Sequence, residues 1–155
     1  MSVRHFISTA DFTRQELGSL LDNAARMKRG SLQPRLPGKN LILLFFNPSL
    51  RTRASFELAM QQLEGNVVTL NAGGDTWKLE MTPGAVMDGE AAEHVTDAAR
   101  VLGRYADAIG IRVFPEGRSW EEDRKDAVIQ GFVREAGGPI VNMESSLYHP
   151  NQALG

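Results

Sequence analysis

The chain has 155 residues, 42% hydrophobic and 23% charged, with a formal net charge of -2. That length suits one domain with a real core, and the near-neutral charge excludes general attraction to nucleic acid or to an anionic membrane, so any anion site has to be local. With no cysteine, disulfides and thiolate metal sites are excluded. No run reaches transmembrane length and MSVRHFISTADF has no apolar signal core, so a cytoplasmic chain is expected.

A capping box, Thr13 with Glu16, opens the first predicted helix, and Leu17, Leu20, Leu21 and Ala24 follow on one face. Gly30 stops it and QPRLPGK connects onward. NLILLFF is an unbroken apolar run, the signature of a strand covered on both sides, here 41–46. A second helix runs from the corner after it to about Leu63, with Phe56, Met60 and Leu63 on one face; Gly65 ends it and NVVTL forms strand two.

Residues 71–89 contain four glycines and no clean period, a loop long enough to suggest a task of its own. Helix 90–105 is expected to turn Val95, Ala98, Leu102 and Tyr105 inward, and AIGIRVF supplies strand three. SWEE reads as a second capping box opening helix 119–135, and GGPIVNM supplies strand four. Strands alternating with helices predict an α/β fold, a parallel four-stranded sheet flanked by helices.

Ligands of such sheets bind beyond the carboxyl ends of the strands. The rule selects Asn47–Arg53, Asn71–Trp77, Arg112–Arg118 and Glu144–Gln152, where polar residues gather. At the first of these, a helix N-terminus offers free N–H groups and a positive dipole end. Ser49 and Thr52 add hydroxyls there, and Arg51 and Arg53 add forks suited to phosphate oxygens. Surface ion pairs plus a simple cap would explain the same residues. Arg112, in apolar company near the end of strand three, needs either a ligand anion or a protein carboxylate.

His149 is held extended by the proline after it, with the Gln152 amide three residues on. His5 and His94 read as structural hydrogen-bonders, and the three histidines show no metal spacing. Trp77 is either folded back on its own domain or an anchor in another subunit. Trp120 and the EEDRKD run read as a helix start and a solvated face. Neither the Walker pattern nor G-x-G-x-x-G is present.

FFNPSLRTRASFE resembles the carbamoyl-phosphate signature of the aspartate and ornithine carbamoyltransferases, usually S-T/M-R-T-R. EAAEHVTDAARVLGRYADAIGIR resembles that family's segment leading to its next arginine, and HPNQ resembles its H-P-x-Q signature. The tryptophan of GGDTWKLE and the VNMES segment look most like the N-acetylornithine branch, with its succinylornithine relatives.

The resemblance implies a carbamoyl-phosphate-binding domain over residues 1–150. Residues 151–155 would begin a connection to an absent amino-acid-binding domain. Ser49, Leu50, Arg51, Thr52 and Arg112 would hold carbamoyl phosphate, and His149 and Gln152 its carbamoyl group, with Trp77 reaching a neighbouring subunit's site. Arg112, His149 and Thr52 would be catalytic, and Glu144 and Ala92 would meet the acylated ornithine. A homotrimer is implied, with no cofactor and no metal.

Family members run on into a second domain, so an isolated domain with little turnover is expected, either natural or engineered. Leu50 stands where the family has Thr or Met, and Asn151 where this branch has cysteine. The competing readings are a trimeric assembly module without catalysis and a phosphate sensor unrelated to carbamoyl transfer.

Overall fold

A computed structural model describes residues 3–82, 84–115, 117 and 119–154. The elements are α1 (Arg14–Lys28), β1 (Asn40–Phe45), α2 (Arg51–Gln62), β2 (Asn66–Asn71), β3 (Leu79–Glu80), β4 (Glu93–His94), α3 (Val95–Tyr105), β5 (Ala108–Arg112), α4 (Trp120–Asp123), α5 (Ala127–Glu135), β6 (Ile140–Glu144) and α6 (Pro150–Leu154). Four strands form a parallel sheet in the order β2-β1-β5-β6. This is the predicted four-stranded parallel α/β architecture. Among the described residues no helix is long and apolar enough to cross a membrane.

The NLILLF run becomes a central strand because both its faces find cover. Ile42 and Leu44 join Ile109, Ile111 and Ile140 under α3 and α5, which contribute Val95, Ala99, Ile129 and Phe132. Leu41, Leu43 and Phe45 point the other way, to Met60 of α2 and Met143 of β6. β1 can therefore be apolar at five consecutive positions. β2 lies at the edge and alternates instead, with Val68 exposed. Gly103 lets α3 and α5 approach closely: a Cβ there would lie 1.9 Å from the carbonyl oxygen of Ala136.

The Thr13–Glu16 capping box forms as expected. Its helix nevertheless buries no residue, and Leu20 and Leu21 stay half exposed. Four other expectations are corrected. Helix 90–105 starts only at Val95, because residues Glu93 and His94 pair with Leu79 and Glu80 as a small parallel ribbon inside the long loop. Tyr105 is 67% exposed rather than inward. α5 flanks α3 on the side of Gly103 and Arg100, where Arg100 meets Glu135, so Val101 and Tyr105 lie on the uncovered flank. Ser119 makes no side-chain cap. Helix 119–135 breaks into α4 and α5 at Asp126, which takes a left-handed conformation with φ 45°.

β1 leads through α2 to β2 on one side, while β5 leads through α4 and α5 to β6 on the other. The strand order thus reverses between β1 and β5. The crevice beyond their carboxyl ends is where such sheets place ligands.

Candidate functional site

Arg112 is the last residue of β5 and sits in that crevice. Its side chain is only 12% exposed. Nη1 donates to the carbonyl oxygens of Pro48 (2.5 Å) and Asn47 (3.4 Å), at the corner that follows β1. The guanidinium lies 4.2 Å over the Phe114 ring, and Asn47 Oδ1 accepts from the Phe114 N–H at 2.7 Å. Backbone and aromatic contacts therefore hold the cation directly ahead of α2.

The charge of Arg112 is met by a protein carboxylate. Nε donates to Oε2 of Glu144 at 3.1 Å, and Nη2 lies 2.9 Å from the same oxygen as an ion pair. A register shift produces this pair. Ile111 lies opposite Asn142, but Arg112 lies opposite Glu144, so Met143 is passed over. Of the two sequence alternatives for Arg112, the structure shows a carboxylate partner. The same Oε2 lies 3.7 Å from His149 Nε2.

His149 is oriented from below. Its Nδ1 accepts the N–H of Gln152 at 3.3 Å, so the neutral ring carries its proton on Nε2, the nitrogen facing Glu144. The turn before it is fastened by a buried network. Asp126 accepts from Ser145 Oγ (2.7 Å) and from the Ser146 N–H (3.0 Å), and Ser145 Oγ accepts from Asn142 Nδ2 (3.0 Å) and from the Tyr148 N–H (3.3 Å). Asp126 and Ser145 came with no sequence signal of this task; their partners lie in different elements.

At the start of α2, Leu50 occupies the N-cap position and provides no side-chain cap. The first-turn N–H groups of residues 51–53 find no acceptor among the described residues. Ser49 and Thr52 flank them, and Arg51 is exposed, with no ion pair among the described residues. Arg53 is turned elsewhere. It pairs with Glu57 at 3.0 Å, and Glu57 also accepts from the Thr69 hydroxyl at 2.6 Å. That hydroxyl, more than the arginine, holds the Glu57 carboxyl below its ordinary range. Arg53 thus follows the surface-pair alternative.

Trp77 is 60% exposed and donates to Glu93 Oε2 at 3.0 Å, not to a member of the crevice cluster. Its loop keeps its shape because Asp75 accepts from both the N–H and the Nδ2 of Asn71, each at 2.7 Å. Ala92 is exposed and donates its N–H to the Lys78 carbonyl in the same loop region. Gln152 is exposed on α6, one turn from His149. His5 and His94 make structural bonds. His5 Nδ1 accepts from the Ile140 N–H, and His94 caps α3 through Thr96 while bonding the Thr82 carbonyl. Arg118, at the far end of the third strand mouth, lies outside the described residues.

The structure thus brings together Arg112, Glu144, His149 and the corner leading into Ser49–Thr52, and leaves Arg53, Trp77 and Ala92 apart. Chemically, this is a recessed cation beside an uncapped helix start, with a carboxylate and an imidazole N–H on its other side. The first part suits an oxyanion and the second a donor or a small cation.

N-acetylornithine carbamoyltransferase of Xanthomonas campestris pv. campestris is 49% identical over 154 residues, which is 99% of this chain and 45% of that protein. N-succinylornithine carbamoyltransferase of Bacteroides fragilis is 40% identical over 116 residues, 75% of this chain and 36% of that one. The crystal structure of acetylornithine transcarbamylase complexed with acetylcitrulline superposes with a TM-score of 0.93 at 48% identity, covering 98% of this chain and 45% of that chain. The chain therefore spans about half the length of the curated relatives it matches. Residues 4–155 match the family described as aspartate/ornithine carbamoyltransferase, carbamoyl-P binding domain, and the chain belongs to that family.

Proposed function

We propose that this chain binds carbamoyl phosphate at the mouth between β1 and β5. It would serve the transfer of the carbamoyl group to the side-chain amine of an acylated ornithine, a step of arginine biosynthesis. The observation that carries the reading is the guanidinium of Arg112 fixed ahead of an uncapped α2, whose first residue, Arg51, is exposed and makes no ion pair among the described residues. The amine nitrogen would attack the carbamoyl carbon, the bond from that carbon to the phosphate oxygen would break, and phosphate would leave as the nitrogen gives up a proton. Ser49, Leu50, Arg51, Thr52, Arg112 and the first-turn N–H groups would hold the phosphate. Arg112, Thr52 and the Nε2–H of His149 would face the carbonyl oxygen as charge grows on it, and Gln152 would assist. Holding both substrates in one crevice supplies much of the remaining acceleration.

The test is titration calorimetry with carbamoyl phosphate. Binding is expected in this chain, and Arg51→Ala and Arg112→Ala are each expected to abolish it. No heat and no thermal shift with any phosphate ligand would reject the reading. We expect little turnover from this chain alone, because less than half of the relatives' length is present to wall off water and orient the amine.

The acyl group is the finer question. The relatives' names favour N-acetylornithine. A specific observation favours a succinyl group: a transcarbamylase was crystallised with carbamyl phosphate and N-succinyl-L-norvaline when glutamate at its own position 92 was replaced by alanine, serine, proline or valine, and this chain's own position 92 is Ala92 rather than glutamate.

Self-association into a homotrimer is supported by exposed apolar side chains. Val68 of β2, Val101 and Tyr105 of α3, and Trp77 in the loop after β2 each expose apolar surface. A stable trimer with no ligand response in sedimentation would favour an assembly module over an enzyme domain.

A further inference from the structure

We propose that Glu144 is a displaceable occupant of the anion site: its carboxylate holds the Arg112 fork that the phosphoester takes over on binding. The proposal deepens the binding reading above and rests on it.

A guanidinium offers five N–H donors in a fixed plane. In Arg112 the Nη1 edge is committed to the Pro48 and Asn47 carbonyls, which belong to the backbone. The other edge, Nε with Nη2, is the one shaped for an oxyanion. Glu144 fills it. An incoming phosphate would meet both an occupied edge and a like charge.

Three features make the carboxylate the partner that yields. Its hydrogen bond and its ion-pair contact to Arg112 both end on the single oxygen Oε2, whereas the strongest pairs engage two oxygens side by side. Glu144 is more exposed than the arginine it holds, 27% against 12%. Arg112 is pinned from its other edge and by the Phe114 ring, so exchange leaves it in place. Replacing one anion by another also avoids a bare recessed cation, which would be costly. The backbone after Glu144 is fastened through Ser145 and Ser146 to Asp126, so the change is confined to the glutamate side chain.

The experiment uses inorganic phosphate and carbamoyl phosphate as probes, titrated into the wild-type chain and Glu144→Gln. The amide keeps an acceptor for Arg112 but removes the charge. Displacement predicts about tenfold tighter phosphate binding in the variant, the size of a typical coupling between two ligands of one site. It also predicts that phosphate shifts the Arg112 Nε–H resonance of the wild type, as one anion replaces another. Should Glu144→Gln fold poorly, Glu144→Asp, one methylene shorter, is expected to tighten binding in the same direction.

Folded variants that bind phosphate no tighter than the wild type, with an unmoved Arg112 resonance, would overturn the displacement and leave carbamoyl-phosphate binding intact. Failure of wild type and variants alike to take up either probe would overturn the binding reading and this proposal with it.

Discussion

The two faces of the central sheet are built to different standards. Under α3 and α5 the cover is dense. Ile129, Phe132 and Ala99 are fully buried, and Gly103 brings two helices into backbone contact. On the opposite face α2 buries only Met60, and α1 buries nothing. α1 shares one groove with α2, lined by Met27 and Leu63, and another with β6, lined by Leu20, Leu21 and Val141. The dense face fixes where the strand ends lie, and therefore where Arg112 and Glu144 meet. The thin face carries the helix start that would receive phosphate. Rigidity and chemistry are divided between the two sides.

That division can be broken or sharpened by measurement. The largest effect is expected on the dense face, where Phe132→Ala should cost about 3–5 kcal/mol through lost transfer energy and a cavity. Chemical denaturation would read it, and a loss no greater than that of an α1 variant would erase the contrast. On the thin face Leu21→Ser should cost about 1 kcal/mol or less, because that side chain is already 46% exposed. A cost as large as that of Phe132→Ala would show α1 to be held as firmly as α5.

The smallest effect concerns how α1 is kept. Its Glu16 carboxyl is held down to about 2, first by the Arg4 guanidinium and then by the Thr13 N–H and hydroxyl. A carboxylate depressed in the folded state contributes stability above its unfolded value, and that contribution is lost as pH falls through the folded one. Amide protection in α1, taken relative to the intrinsic exchange rate at each pH, should therefore fall as pH drops from 4.5 towards about 2. The effect is small, since both partners are solvent-screened. Glu16→Gln should remove this pH dependence, and an unchanged profile would mean that the cap contributes nothing.

Much of the framework was legible because it rests on local pattern. The NLILLF run could only be a doubly covered strand, and Thr13 with Glu16 could be read as a cap from spacing alone. The crevice followed from the order of elements, and Arg112 from the cost of an arginine in apolar company. What stayed hidden depends on neighbours distant in the chain. Nothing near Tyr105 says that α5 will pack on the other flank of α3, and nothing in EEDRKDA marks Asp126 as a left-handed break held by Ser145 and Ser146. Glu144 was picked out as a site residue, but its hold on Arg112 was invisible because it follows from a pairing offset between two strands. Arg53 looked equivalent to Arg51 until Glu57, one helical turn on, claimed it.

The passed-over Met143 gives that offset a further meaning. Its side chain is completely buried beside Gly110 and Leu43, so the residue omitted from the ladder is also a keystone of the thin layer. Deleting a single residue from the tip of β6 would empty that socket and exchange the counter-ion of Arg112 in the same stroke. The length of this strand end is therefore constrained twice over, by volume on one side of the sheet and by charge at its mouth.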